Sequence, residues 1–323
     1  MLHTRFCDLF DVEAPVVQAP IWPATAPELV AAVSEAGALG SIGAILHSAE
    51  EVRAAIGRVR ELTGRPFAVN HVVPSLDEDA FAATLELRPA VVSFALGDPG
   101  DLVERAQAAG AKVMHQVHTV AQAREAAARG VDAIVAQGAE AGGQGMLAGV
   151  GAAALVPQVV DAVEPVPVLM AGGVGDGRGL AAALVLGAAG ANVGTRFLAS
   201  EEAGVDPAWK QAIAASESED VVRFEPWGEI MPPSPGGYDV VPRVVRTAFV
   251  DEWRSRAQEV PAHAEKLREE IIGRLLSGRA HEVTPFSGQS AGLVRDVRPA
   301  AEIVRSLVAE AEAALARAAP APA

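Results

Sequence analysis

Val166-Pro167-Val168-Leu169-Met170-Ala171-Gly172-Gly173-Val174 and Ala189-Gly190-Ala191-Asn192-Val193-Gly194-Thr195-Arg196 are two apolar runs, each ending in a glycine-bearing loop. The Ala/Leu-rich segment between them, Gly179 to Leu186, reads as a helix, so the pair spells strand, loop, helix, strand, loop. Glycines let a backbone approach a ligand closely, and bare amides at a helix N-terminus offer the positive dipole ends a phosphate needs. In a (β/α)8 barrel, such a site forms on the loops after the last two strands. The fold therefore turns on whether these runs are strands seven and eight.

Upstream, short apolar runs recur at Val16 to Ala19, Leu39 to Gly43, Pro66 to Asn70, Ala90 to Ala95, Lys112 to Val117 and Ala133 to Gln137. Helical patterns fill the gaps: Pro27 to Ala36, Ala49 to Leu62, Glu78 to Glu86, Leu102 to Ala109, Val120 to Arg129 and Gly151 to Val163. Strands apolar on both faces that alternate with helices mean a parallel sheet covered by helices. Eight such units predict an α/β chain folded as a closed TIM barrel over residues 1–198, with the glycine pair on loops seven and eight.

Beyond Leu198 the pattern changes to a helix at Pro207 to Ala215 and a Pro/Gly-rich stretch, Pro226 to Asp239. Amphipathic helices are expected at Val241 to Gln258 and Pro261 to Leu276. This helical region, 199–290, is placed to cover the mouth of the barrel or to pack a homodimer. Residues 291–323 are expected to return to the barrel as a helix, Pro299 to Arg317, with a frayed tail from Ala318 to Ala323.

Composition excludes several classes of function. Among 323 residues the net charge is -15, which disfavours nucleic acid and anionic membranes as partners. Cys7 is the single cysteine, so no disulfide within the chain, cysteine zinc site or iron–sulfur cluster can form, and it reads as a buried core residue. The start of the chain, MLHTRFCDLFDVE, lacks a signal-peptide pattern, and no apolar run is long enough to span a bilayer, so a soluble cytoplasmic protein is expected.

The strand ends present Gln18-Ala19-Pro20-Ile21-Trp22, Gly43-Ala44, Asn70-His71, Ser93, His115-Gln116 and Gln137-Gly138-Ala139-Glu140-Ala141-Gly142-Gly143-Gln144-Gly145. No opposed carboxylate pair, His-x-His or Ser-His-Asp set appears, so neither a glycosidase nor a metal hydrolase fits, and no metal site is expected. Side-chain amides both donate and accept along the edge of a polar heterocycle. With one phosphate site, the ligand that fits is FMN. Glu140 reads as a structural carboxylate, capping amides or pairing with an arginine.

QAPIW, FAVNH, IVAQGAEAGGQG, LMAGGVGDGRGLAAAL, ANVGTRFLASEE and SGQSAG, in that order, resemble the FMN-dependent nitronate monooxygenase family, and the resemblance covers nearly the whole chain. It implies that Gln18, Ala19 and Pro20 lie at the isoalloxazine with Asn70 on its polar edge. It further implies Gln137 and Gly142 along the ring and ribityl chain, and Gly172, Gly173, Asn192, Val193, Gly194 and Thr195 at the phosphate. The implied reaction oxidises an alkyl nitronate with O2 to a carbonyl compound and nitrite. Where the family commonly has a histidine after EAGG, this chain has Gln144, which hydrogen-bonds a substrate but takes up no proton near neutral pH. His115 is the first candidate to replace it and His71 the second, with His118 placed at a helix start. Gln144 also leaves open an NAD(P)H-dependent flavin reductase acting on a quinone or enoyl thioester, and a non-catalytic flavin-binding protein.

Overall fold

The computed structural model describes residues 2–232 and 237–318. The barrel strands are β1 (Val16–Gln18), β2 (Gly40–Gly43), β3 (Phe67–Val72), β4 (Val91–Ala95), β5 (Lys112–Val117), β6 (Ala133–Gln137), β8 (Val168–Ala171) and β9 (Gly190–Val193). They run parallel in the order β1-β9-β8-β6-β5-β4-β3-β2, and a bridge between Val17 and Leu39 joins the two ends. The expected TIM barrel is the observed fold.

The β1–β2 seam is the shortest ladder of the barrel, because β1 has only three residues. The Leu39 amide donates to Val16 O (3.0 Å) and the Gln18 amide to Leu39 O (2.9 Å), after which the backbone partners run out. Ser41 N–H donates instead to Oε1 of Gln18 at 3.0 Å. A fully buried side-chain amide thus continues a ladder that the backbone cannot.

Around the strands lie α2 (Pro27–Glu35), α3 (Ala49–Leu62), α4 (Glu78–Leu87), α5 (Leu102–Ala108), α6 (Val120–Ala128), α7 (Ala152–Val163) and α8 (Gly177–Val185). Their starts are written locally: Ser48 and Glu51 form a capping box on α3, and Asp77, Thr119 and Asp176 accept from early amides of α4, α6 and α8. The last helix, α14 (Ala300–Ala318), packs against α8 and α2, the expected return to the barrel. The final five positions of the expected tail, 319–323, lie outside the described residues.

A helix the sequence reading did not anticipate, α1 (Arg5–Phe10), stoppers the barrel at the N-terminal ends of the strands. Phe6, Cys7 and Phe10 form one cluster with the inward-facing Val17, Leu39, Ala68, Val91, Met114 and Ala133. The Thr4 hydroxyl donates to Ala189 O at 2.6 Å and holds the plug in place. Cys7 is buried there, as its sequence context indicated.

Above the opposite end stands a roof with its own core of Trp209, Phe224, Trp227, Ile230, Val244, Trp253, Leu267 and Ile271. Its helices are α9 (Thr195–Leu198), α10 (Pro207–Ala215), α11 (Trp227–Ile230), α12 (Ala248–Ser255) and α13 (Val260–Leu276). A three-stranded antiparallel sheet, β10-β11-β7, completes it. Its strands are β10 (Val221–Arg223), β11 (Val240–Val245) and β7 (Gly143–Met146), the last borrowed from the loop after β6. One expectation is corrected here: Val241 to Gln258 is not one helix but strand β11 followed by the shorter α12. Val240, Val241, Val244 and Val245 are β-branched and Pro242 has no amide to donate within a helix, whereas β10 and β7 offer ladders on both sides. Within the Pro/Gly-rich stretch, residues 233–236 lie outside the described residues.

The roof touches the C-terminal ends of three strands. Tyr238 N–H donates to Leu96 O (3.2 Å) beyond β4, Arg243 donates to Ala139 O (Nη2, 2.8 Å) beyond β6, and Gly288 N–H donates to Thr195 Oγ1 (2.8 Å) beyond β9. Replacing Phe6 by alanine removes a fully buried ring from the plug at the other end. The expected cost is about 3–5 kcal/mol, read as a lowered urea midpoint with an unchanged slope.

Candidate active site

Side chains on a strand alternate between the two faces of the sheet, which sorts the strand ends into two sets. Val92, Phe94, Val113, Val117, Ile134, Ala136, Val168, Met170, Ala191 and Val193 pack outward into the helix layer. Val17, Leu39, Ala68, Val91, Met114, Val135 and Leu169 face inward. One step further along each strand, the inward positions are Ala19, Ser41, Asn70, Ser93, Gln116, Gln137 and Ala171, and the inward residue of β9 is Asn192. The mouth is therefore floored by hydroxyls and amides, as the strand ends foretold.

The structure brings Asn70, Gln137 and Asn192 together on this floor. Asn70 Nδ2 donates to Ser93 Oγ at 2.9 Å, and Gln137 Nε2 donates to the carbonyl of Gln144 at 3.1 Å. Asn192 Oδ1 is buried and accepts no hydrogen bond. Ala19 and Pro20 are half-buried at the rim. Gln18 and Val193 fall on the outward set: Gln18 stitches the seam, and Val193 packs into the helix layer while its carbonyl accepts from Ala19 N–H at 2.9 Å.

The glycines divide into two kinds. Gly172 and Gly173 have φ of 98° and 75°, the left-handed region that an L side chain disfavours. Among the described residues, the amides of Gly172, Gly173, Gly194 and Thr195 donate to no acceptor. Gly142 instead serves packing, since a Cβ there would lie 2.5 Å from the Gly288 amide nitrogen. Glu140 is structural, as its context indicated: both carboxylate oxygens accept from Ala152 N–H (3.0 and 3.1 Å) at the start of α7.

Three histidines are buried at or near the strand ends, and only one belongs to the mouth. His71 follows the outward set, with Nε2 hydrogen-bonded to Thr84 Oγ1 (3.0 Å) on α4. His115 also points outward, with Nδ1 at 3.1 Å from the Phe94 carbonyl. His118 follows Gln116 on the inward face, and its ring meets the roof edge-on at Tyr238, centroids 5.9 Å apart. Neither ring nitrogen of His118 has a hydrogen-bond partner, although the Gln144 backbone lies beside it. Burial pushes all three imidazoles down to about 4. The signal was present in the sequence: in Met114-His115-Gln116-Val117-His118, the period of two sets His118, not His115, on the face of Met114.

Gln144 lies half-buried on β7 opposite Pro242 of β11, so this position is part of the roof sheet. Among the described residues no cluster of three or more His, Cys, Asp or Glu is placed to hold a metal ion, and no helix is long and apolar enough to cross a membrane.

The amide-lined mouth of the TIM barrel, with backbone amides of its last two loops free to donate and the roof above them, is the candidate active site. A sequence profile of the nitronate monooxygenase family matches residues 3–85 and 77–310. The chain belongs to that family of oxidoreductases. It is 32% identical to a probable nitronate monooxygenase of Staphylococcus saprophyticus, over 91% of this chain and 94% of the relative. Among solved structures, FabK from Thermotoga maritima superposes with a TM-score of 0.89 at 33% identity, covering 98% of each chain. A nitroalkane oxidase from Streptomyces ansochromogenes gives 0.83 at 28% identity, covering 97% of this chain and 99% of its own.

The buried histidines set a pH dependence. Their folded-state values near 4 lie below the unfolded value of about 6.5, so the unfolded chain binds more protons in between. Each histidine's contribution is fully present above about pH 6.5 and falls by about 1.4 kcal/mol per unit as the pH drops toward 4. Urea midpoints measured from pH 7 to 4.5 are expected to decline, and His115→Gln to decline less steeply than wild type.

Proposed function

We propose that this protein is an FMN-dependent oxidoreductase that oxidises alkyl nitronates with O2 to a carbonyl compound and nitrite. The observation that carries the reading is the set of hydrogen-bonding groups left free around the mouth: the amides of Gly172, Gly173, Gly194 and Thr195, and the buried Oδ1 of Asn192. Bare amides beside left-handed glycines fit a phosphate, and an accepting amide oxygen fits the hydroxyls of a ribityl chain. Ala19, Pro20, Asn70 and Gln137 would line the ring, while Gln18 supports them from the seam. When bound, FMN supplies the acceptor for the nitronate's electrons and their route to O2.

The chain's own residues set what the substrate must be. The floor is neutral, and Gln144 offers a hydrogen bond but no base, so nothing at position 144 removes a carbon-bound proton from a neutral nitroalkane. A preformed nitronate needs no such step. The floor side chains are largely buried beneath the roof, Asn70 and Asn192 each 8% exposed, which strengthens their contacts with a ligand.

The neutral Gln144 also favours a second reading, an NAD(P)H-dependent flavin reductase acting on a quinone or an enoyl thioester. The two separate on purified protein with a flavin spectrum. Oxygen uptake on propionate 3-nitronate without pyridine nucleotide is the expected result; rapid anaerobic bleaching of the flavin by NADH or NADPH, without that uptake, would establish the reductase. Activity on neutral nitroalkanes is expected to be near zero. Gln144→His should raise it toward the ~100-fold gain that a positioned base contributes.

A further inference from the structure

The inward face of the strand ends carries one titratable side chain among the described residues, His118, and both of its ring nitrogens are unsatisfied. It is 2% exposed, with Nδ1 and Nε2 both buried and both without a hydrogen-bond partner. Leaving a buried polar group unpaired costs about 1–3 kcal/mol, so an imidazole held in this state is explained by a partner that arrives from outside. The ring lies between Tyr238 and the backbone of Gln144, both of the roof.

The charges around it identify that partner. His115, three residues earlier, disfavours a proton on His118, and the Gln144 backbone favours one. Tyr238 on the roof is held neutral by burial, its pKa pushed up to about 12. The nearby carboxylates act elsewhere: Asp98 on His115 and Tyr238, and Glu125 on Tyr238. No carboxylate acts on His118 itself, so a counter-charge for its imidazolium must come with the ligand.

We propose that His118 anchors the oxygens of a small planar oxyanion beneath the roof, and that it takes up one proton from solvent as the anion enters. A nitrogen–hydrogen bond forms on the imidazole, and no bond in the anion breaks. The imidazolium then donates from both ring nitrogens, to the anion and to its surroundings, which satisfies the two atoms left unpaired in the free protein. That the natural anion is a nitronate rests on the function proposed above; the proton-linked anion site does not. His118 selects the ionised substrate, and binding weakens about tenfold per pH unit between the value of free His118, about 4, and the higher value it reaches in the loaded state.

Sodium nitrate, planar and inert to oxidation, is the probe. Titration calorimetry of the purified holoenzyme at pH 6.5, in two buffers of different ionisation enthalpy, reads the protons taken up per nitrate bound. Uptake approaching one proton is expected for wild type. For His118→Gln and His118→Asn, uptake should vanish, affinity should fall about tenfold and lose its pH dependence, and KM for propionate 3-nitronate should rise with far less change in kcat. Wild-type protein that binds no nitrate, or binds it without proton uptake, overturns the proposal on a measurement that needs no variant. Uptake that persists in His118→Gln overturns it as well. Proton-linked nitrate binding in a protein that does not turn over nitronates would leave the anion site standing and remove the nitronate reading alone.

Discussion

The barrel closes at its seam on two backbone hydrogen bonds and one from a side chain. A three-residue strand cannot ladder fully with its neighbour, and Gln18 Oε1, accepting from Ser41 N–H, carries the closure one step past the last backbone pair. Closure makes inside and outside distinct for every strand, and from that distinction follows which residues meet a ligand. The amide of Gln18 is engaged in making the container: its Oε1 accepts from Ser41 N–H and its Nε2 donates to the Ala19 carbonyl.

Inside the closed barrel, chemistry is sorted by height. The lower layers are apolar and stoppered by Phe6 and Phe10 of α1; the uppermost layer is Ser41, Asn70, Ser93, Gln116, Gln137 and Asn192. Fixed amides of this kind bind without carrying charge, so the electrical character of the mouth is left to the ligand and to one imidazole. The glycines are sorted too. Gly172 and Gly173 are required by backbone conformation, whereas Gly142 and Gly288 are required because two chain segments touch there.

Much of this was legible in the sequence, because alternating apolar runs and helices leave a period that survives without any knowledge of contacts. The eight strands, the two glycine loops, the capping role of Glu140 and the amide floor all came from local pattern. What was missed depended on partners distant in sequence. Strand β7 exists because β11 pairs with it from about a hundred residues away, and β11 itself was read as helix because its valines and proline were judged without that partner. The plug α1 is short and polar on one side, and only the bottom of a barrel gives it a place. His115 was preferred to His118 by nearness to the strand, yet the period of two extended past Val117 assigns the mouth to His118.

Because β7 is a strand of the roof and also the loop that follows β6, the roof is not an accessory resting on a finished barrel. The barrel contributes one of its three strands, and the residue at position 144 travels with that strand. The placement of Gln144 and that of the roof are therefore one matter: whatever shifts the sheet shifts its hydrogen-bonding group as well. The same sharing constrains how such a protein can diversify. A change of cover brings a change at 144, so the size of molecule admitted and the chemistry offered to it are inherited together.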